Sequence, residues 1–95
     1  MAAPKIASFI MAACPSLCDY QSYMFGSSLR RAGEDIDILV VGPSGGALAR
    51  LKKEMEAAGE QLALHVLYML PSEALETGFV ENEGCVELSK LAGHQ

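Results

Sequence analysis

The feature that most limits how this chain can fold is an apolar run, a breaker, a helical pattern and a second apolar run, in that order. Asp35 and Asp37 alternate with Ile36 and Ile38, and the run then continues through Leu39, Val40 and Val41. A β-branched run of this kind predicts a strand whose exposed end is acidic. Gly42-Pro43-Ser44-Gly45-Gly46 supplies a turn. Leu48, Leu51, Met55 and Ala58 follow at helical spacing, with Arg50, Lys52, Lys53, Glu54 and Glu56 largely on the other face and Gly59 as a stop. Leu62 to Leu70 is apolar on both faces, which predicts a central strand, and Pro71 ends it. A helix between two strands makes a crossover and so allows them to be parallel.

The flanks add smaller elements. Ile6, Phe9, Ile10 and Ala13 fall at i, i+3, i+4 and i+7, one face of a helix that Pro15 ends. Tyr20 to Phe25 predicts a short strand stopped by Gly26-Ser27. It is close in sequence to the next strand, so an antiparallel pair is expected. Ser72 to Thr77 predicts a short helix stopped by Gly78, and Cys85 to Leu88 a last short strand. No repeat, low-complexity segment or linker interrupts the pattern. Residues 1–95 therefore predict one small α/β (α+β) domain with a mixed sheet.

Composition narrows the functional classes. An apolar content of 51% excludes disorder, and a chain of 95 residues has room for one small core, which favours a homodimer. The net charge of −5 argues against broad nucleic-acid binding, which needs a basic face. It leaves room for a nucleotide bound through a metal, because the ion brings its own positive charge. Three cysteines, Cys14, Cys18 and Cys85, with no secretion signal predict reduced thiols in a cytoplasmic protein. The apolar segment Lys5 to Cys14 is too short to span a bilayer.

Two stretches resemble phosphate sites. Gly42 to Gly46 lies between a strand and a helix, the layout of a phosphate-binding loop. The G-x-x-x-x-G-K-[ST] pattern fails, because Ala47 stands at the second glycine and Leu48 at the lysine. The dinucleotide pattern fails at Ser44. What remains is a strand-to-helix turn, with Pro43 setting φ and Ser44 capping the helix.

The second stretch is Gly26-Ser27-Ser28, followed by Arg30, Arg31 and the Asp35-x-Asp37 pair. Alternation puts both carboxylates on one face, where oxygen ligands suit magnesium or manganese. Gly26 lets backbone approach a ligand closely, and Ser27, Ser28 and Arg30 would meet phosphate oxygens. Taken alone, the two acids are equally a solvated strand end.

Tyr23 to Val41 resembles the signature of the nucleotidyltransferase superfamily with the polymerase β-like fold: hydrophobic-Gly-Gly/Ser, a loop, then Asp-hydrophobic-Asp/Glu-hydrophobic. The chain is most similar to the small stand-alone minimal nucleotidyltransferase domains. The resemblance implies a small mixed sheet with helices mainly on one face. It implies that Gly26 and Ser27 hold the triphosphate of an NTP such as ATP and that Asp35 and Asp37 bind two Mg²⁺ (or Mn²⁺). It implies transfer of a nucleotide to a hydroxyl acceptor by in-line attack on the α-phosphorus, with release of pyrophosphate.

The family's third carboxylate comes from a later strand, where this chain has His65. A lone histidine in an apolar strand is expected in the core or an interface, though a neutral imidazole can also act as a base. Glu73 and Glu34 are the substitute acids within reach in sequence. Seven residues, Ser28 to Glu34, separate Ser27 from Asp35, a shorter loop than the family's. Minimal domains of this kind often form one half of a two-component pair, such as an antitoxin on its toxin. The expectations are thus a transferase whose acceptor surface comes from a partner protein, or a non-catalytic nucleotide-, metal- or partner-binding module of the same fold. A third is an unrelated α/β adaptor.

Overall fold

The computed structural model describes residues 2–29 and 35–93, with Ser27 and Ser28 by their backbone. Helix α1 (Ala3–Ala13) leads through a 3₁₀ segment (Pro15–Asp19) into β1 (Gln21–Phe25). After a second 3₁₀ turn (Gly26–Leu29) come β2 (Ile36–Val41), α2 (Gly45–Ala58) and β3 (Leu64–Met69). The chain closes with α3 (Pro71–Thr77), α4 (Phe79–Asn82), β4 (Val86–Glu87) and α5 (Leu88–Ala92).

The fold is mixed α/β. Its sheet has the order β3-β2-β1-β4, with β2–β3 parallel and both pairs involving β1 antiparallel. The crossover through α2 and the antiparallel β1–β2 pair are as the sequence predicts. The 3₁₀ segment after Pro15 is not: Cys14 is fully buried, and the chain coils once more to bring Leu17 into the core before β1.

The strand Leu64–Met69 lies at the sheet edge rather than its centre. Leu64, Val66 and Tyr68 pack with the main core, whereas His65 and Leu67 on the other face are exposed. An apolar run does not report where a strand sits in the sheet, since an edge strand with one covered face reads much like a central one. Two further readings also shift. Ala13 is exposed, and the buried stripe of α1 runs instead through Ile6, Ala7 and Ile10 to Cys14. Ser44 occupies the N-cap position of α2 without a side-chain hydrogen bond. The expected last strand shrinks to two residues, because Leu88 turns inward to start α5 and is fully buried.

Two cores result. The larger lies between the sheet and α1, α2 and α5, and includes Ile10, Met24, Ile38, Val40, Leu51 and Leu88. The smaller lies on the opposite face, where α3 and α4 cover Tyr23, Leu39 and Val41. Phe25 meets Phe79 there edge-on, with ring centroids 5.0 Å apart. Burial of this kind, at roughly 25 cal/mol per Å² of apolar surface, is the main driving force for assembly. No helix among the described residues is long and apolar enough to cross a membrane.

Candidate functional site

The sheet register brings the ends of three strands together. Phe25 pairs with Asp37 across β1–β2, so the turn that begins at Gly26 lies beside the Asp37 side chain. Gly26 has φ +78°, and a β-carbon there would stand 2.6 Å from Asp37 Oδ2. Both the left-handed backbone and the close approach require glycine. Across β2–β3, Asp37 pairs with His65. Residues paired in this way point to the same face, so His65 flanks Asp37 on the side away from Gly26.

Asp35 precedes β2 and completes the corner. The N–H of Ile36 donates to the Ala63 carbonyl at 2.8 Å, which ties the start of β2 to β3. Asp35 Oδ1 is then 3.9 Å from His65 Nε2. Both side chains are largely exposed, at 61% and 69%, because α3 and α4 cover Phe25, Leu39 and Val41 on this face but leave its β2–β3 corner open. His65 is therefore not a core residue. The corner lies at the amino ends of the parallel pair.

The structure does not bring Glu73 to these acids. Glu73 sits in α3 beyond the carboxyl end of β3, where its Oε1 accepts the Leu70 N–H at 2.8 Å. Arg30, Glu34 and the hydroxyls of Ser27 and Ser28 lie outside the described residues. Among the described residues no three His, Cys, Asp or Glu side chains gather closely enough to hold a metal by themselves. Magnesium commonly takes one or two protein carboxylates and completes its shell with phosphate oxygens and water.

Two of the thiols, Cys14 and Cys85, are held back from ionising. Cys14, Cys18 and Cys85 are all free. Burial, and next the charge of Glu54, pushes the Cys14 thiol up to about 11, and its S–H points to Met55 Sδ at 3.4 Å. Burial, and next Glu83, raises Cys85 as well.

Among the described residues, hollows also lie elsewhere. A cavity of about 270 Å³ sits under α3, lined by Gln21, Tyr23, Val41, Ala74 and Val80 among others. Sequence reasoning missed it, because its walls come from four separate elements. An open hollow of about 430 Å³ runs along the outer edge between α2 and β3, lined by Lys52, Met55, Glu56, Leu64, Val66 and Tyr68. The turn Gly42–Gly46 does structural work: the Gly42 N–H extends the β2–β3 ladder to the Met69 carbonyl at 3.0 Å. No protein-family model, curated protein or solved structure matches this chain.

Proposed function

We propose that the corner formed by Gly26, Asp35, Asp37 and His65 binds a nucleoside triphosphate together with a divalent ion, in the manner of the nucleotidyltransferase domains that the sequence resembles. The observation that carries this reading is the contact between Gly26 and Asp37. A glycine turn backed directly onto a carboxylate is what a site needs when a phosphate must approach backbone on one side and a cation on the other. Asp35 and Asp37 would hold magnesium or manganese, which supplies positive charge to the phosphate oxygens. Ser27, Ser28 and Arg30 would complete the phosphate contacts.

In the transfer reading an acceptor hydroxyl forms a bond to the α-phosphorus, the bond to pyrophosphate breaks, and the hydroxyl proton leaves. His65 Nε2, beside Asp35, is the chain's candidate to take that proton. The acceptor, or the surface that recognises it, would come from a partner protein. Three free thiols suit a cytoplasmic setting.

A second reading rests on His65 itself. It occupies the register position opposite Asp37, where the resemblance implies a third carboxylate. That favours a module that binds the nucleotide, or a toxin-like partner, without chemistry. Calorimetric titration of Mg–ATP and the other triphosphates into the wild type and an Asp35→Asn/Asp37→Asn double variant tests the site. Equal binding by both proteins removes the assignment. Binding that the variant loses supports it, and pyrophosphate release on addition of hydroxyl acceptors then separates the transferase from the binding module.

A further inference from the structure

The outer edge of β3 carries features that suit one occupant. Strand Leu64–Met69 pairs only with β2 among the described residues. The ladder from Ile36↔Leu64 to Val41↔Met69 is unbroken, so no bulge blunts the edge. The strand contains no Pro, Lys, Arg, Asp or Glu, the residues with which natural edges usually prevent pairing. The carbonyls of Ala63 and Met69 point toward β2. By alternation the amides and carbonyls of Leu64, Val66 and Tyr68 point outward, away from the sheet.

We infer that this edge pairs with the same edge of a second copy, antiparallel about a two-fold axis at Leu67, to make a continuous eight-stranded sheet. On that axis Leu67 faces Leu67 of the second copy in a non-hydrogen-bonded pair, the closer of the two spacings. Leu67 is 39% exposed in the single chain. Val66 then exchanges both backbone hydrogen bonds with Tyr68 of the second copy, which uses the outward-pointing groups.

The charges above the strand select the same register. The ammonium of Lys52 lies 5.5 Å from the centre of the Tyr68 ring, and Glu56, one helical turn or about two strand residues further along, lines the same hollow with Leu64, Val66 and Tyr68. Helix α2 runs antiparallel to β3, as a crossover requires. Bringing Tyr68 opposite Val66 of the second copy therefore brings Lys52 opposite Glu56 of that copy, twice by symmetry. A two-fold interface must be self-complementary in this sense, and a Lys/Glu pair one turn apart meets the condition. The second α2 also closes the open side of the hollow of about 430 Å³.

Neither Lys52 nor Leu67 belongs to the nucleotide corner, whose His65 lies on the same strand as Leu67. Sedimentation of the full chain tests the pairing, with the wild type expected at twice the 10.1 kDa monomer mass. Lys52→Glu sets like charges opposite each other and is expected to weaken association at least about tenfold. The Lys52→Glu/Glu56→Lys swap is expected to restore it. Leu67→Lys, which opposes two ammonium groups on the axis, is expected to give monomer. Circular dichroism shows whether each variant is folded; all these changes are at exposed positions. A wild type that stays monomeric to millimolar concentration overturns the pairing. So does a dimer that survives Leu67→Lys, or one that the charge swap fails to rescue.

Discussion

Gly26 lies against the carboxylate of Asp37 so closely that a β-carbon on Gly26 would stand 2.6 Å from Oδ2. The contact joins the end of one strand to the acidic start of its neighbour. Two penalties act together in Gly26→Ala: a left-handed backbone that L-residues rarely adopt, and a clash that Asp37 must move to relieve. Together they are expected to destabilise the fold by about 1–3 kcal/mol. Urea unfolding measures this. In an Asp37→Ala background the clash disappears and only the backbone penalty remains, so the two changes are expected to be less than additive. Full additivity would mean that the two residues do not touch.

His65 and Asp35 are a pair of another kind. Their nearest nitrogen and oxygen are 3.9 Å apart and both side chains are mostly in water. Exposed pairs contribute little to stability, about 0–1 kcal/mol, so His65→Ala is expected to leave the unfolding midpoint almost unchanged. His65→Asp is the informative variant. It adds a carboxylate at the position opposite Asp37. Manganese affinity, read by electron paramagnetic resonance of the free ion, is expected to rise about tenfold or more, since ligand charge count sets the affinity of hard-cation sites. An unchanged affinity would mean that Asp35 and Asp37 do not hold the ion.

Glu54 ties α2 to the 3₁₀ segment before β1. Its Oε1 accepts the Ser16 N–H at 3.1 Å and its Oε2 accepts the Ser16 hydroxyl at 2.8 Å. Hydrogen bonds to a charged acceptor contribute about 1.5–3 kcal/mol, and these are part-buried. Glu54→Ala is expected to lose about 2 kcal/mol and Ser16→Ala somewhat less, because the backbone N–H keeps its partner. Glu54→Gln retains an acceptor for one bond and is expected to fall between. Thermal unfolding orders the three, and a different order removes the two-bond geometry.

How much of this the sequence discloses depends on the kind of signal. The β2–α2–β3 crossover was plain, because Ile36 to Val41 and Leu51 to Ala58 repeat with different periods across a glycine-rich turn. The corner was legible as a pair of acids and a glycine, but not as a contact. Only the Phe25↔Asp37 register, set by cross-strand pairing between residues twelve apart in sequence, brings Gly26 to Asp37. His65 sits in an apolar run that looks buried. Its exposure follows from the edge position of β3 and from α3 and α4 covering only part of that face, neither of which leaves a local trace. The reach of Glu54 to Ser16 was hidden for the same reason: in α2, Glu54 looks like one more solvated charge.

Cys14 gives the fold a specific alkaline weakness. The thiol is fully buried, and burial followed by the charge of Glu54 raises it from 9.0 to about 11. A group raised in this way stays protonated in the folded chain while it ionises in the unfolded one. The unfolded state therefore loses its proton first as pH rises. The contribution is fully present below pH 9.0 and is lost progressively towards about 11. Tyr23, Tyr68 and Cys85 are raised in the same direction, each mainly by burial, and add to the same slope. The urea midpoint of the wild type is expected to be flat from pH 7 to about 8.5 and to fall beyond it. Cys14→Ala removes the titrating group at the cost of a small cavity. It is expected to be less stable than the wild type at pH 7, yet to lose less between pH 9 and 11. Parallel pH profiles for the two proteins would show that Cys14 ionises no later in the folded chain than in the unfolded one.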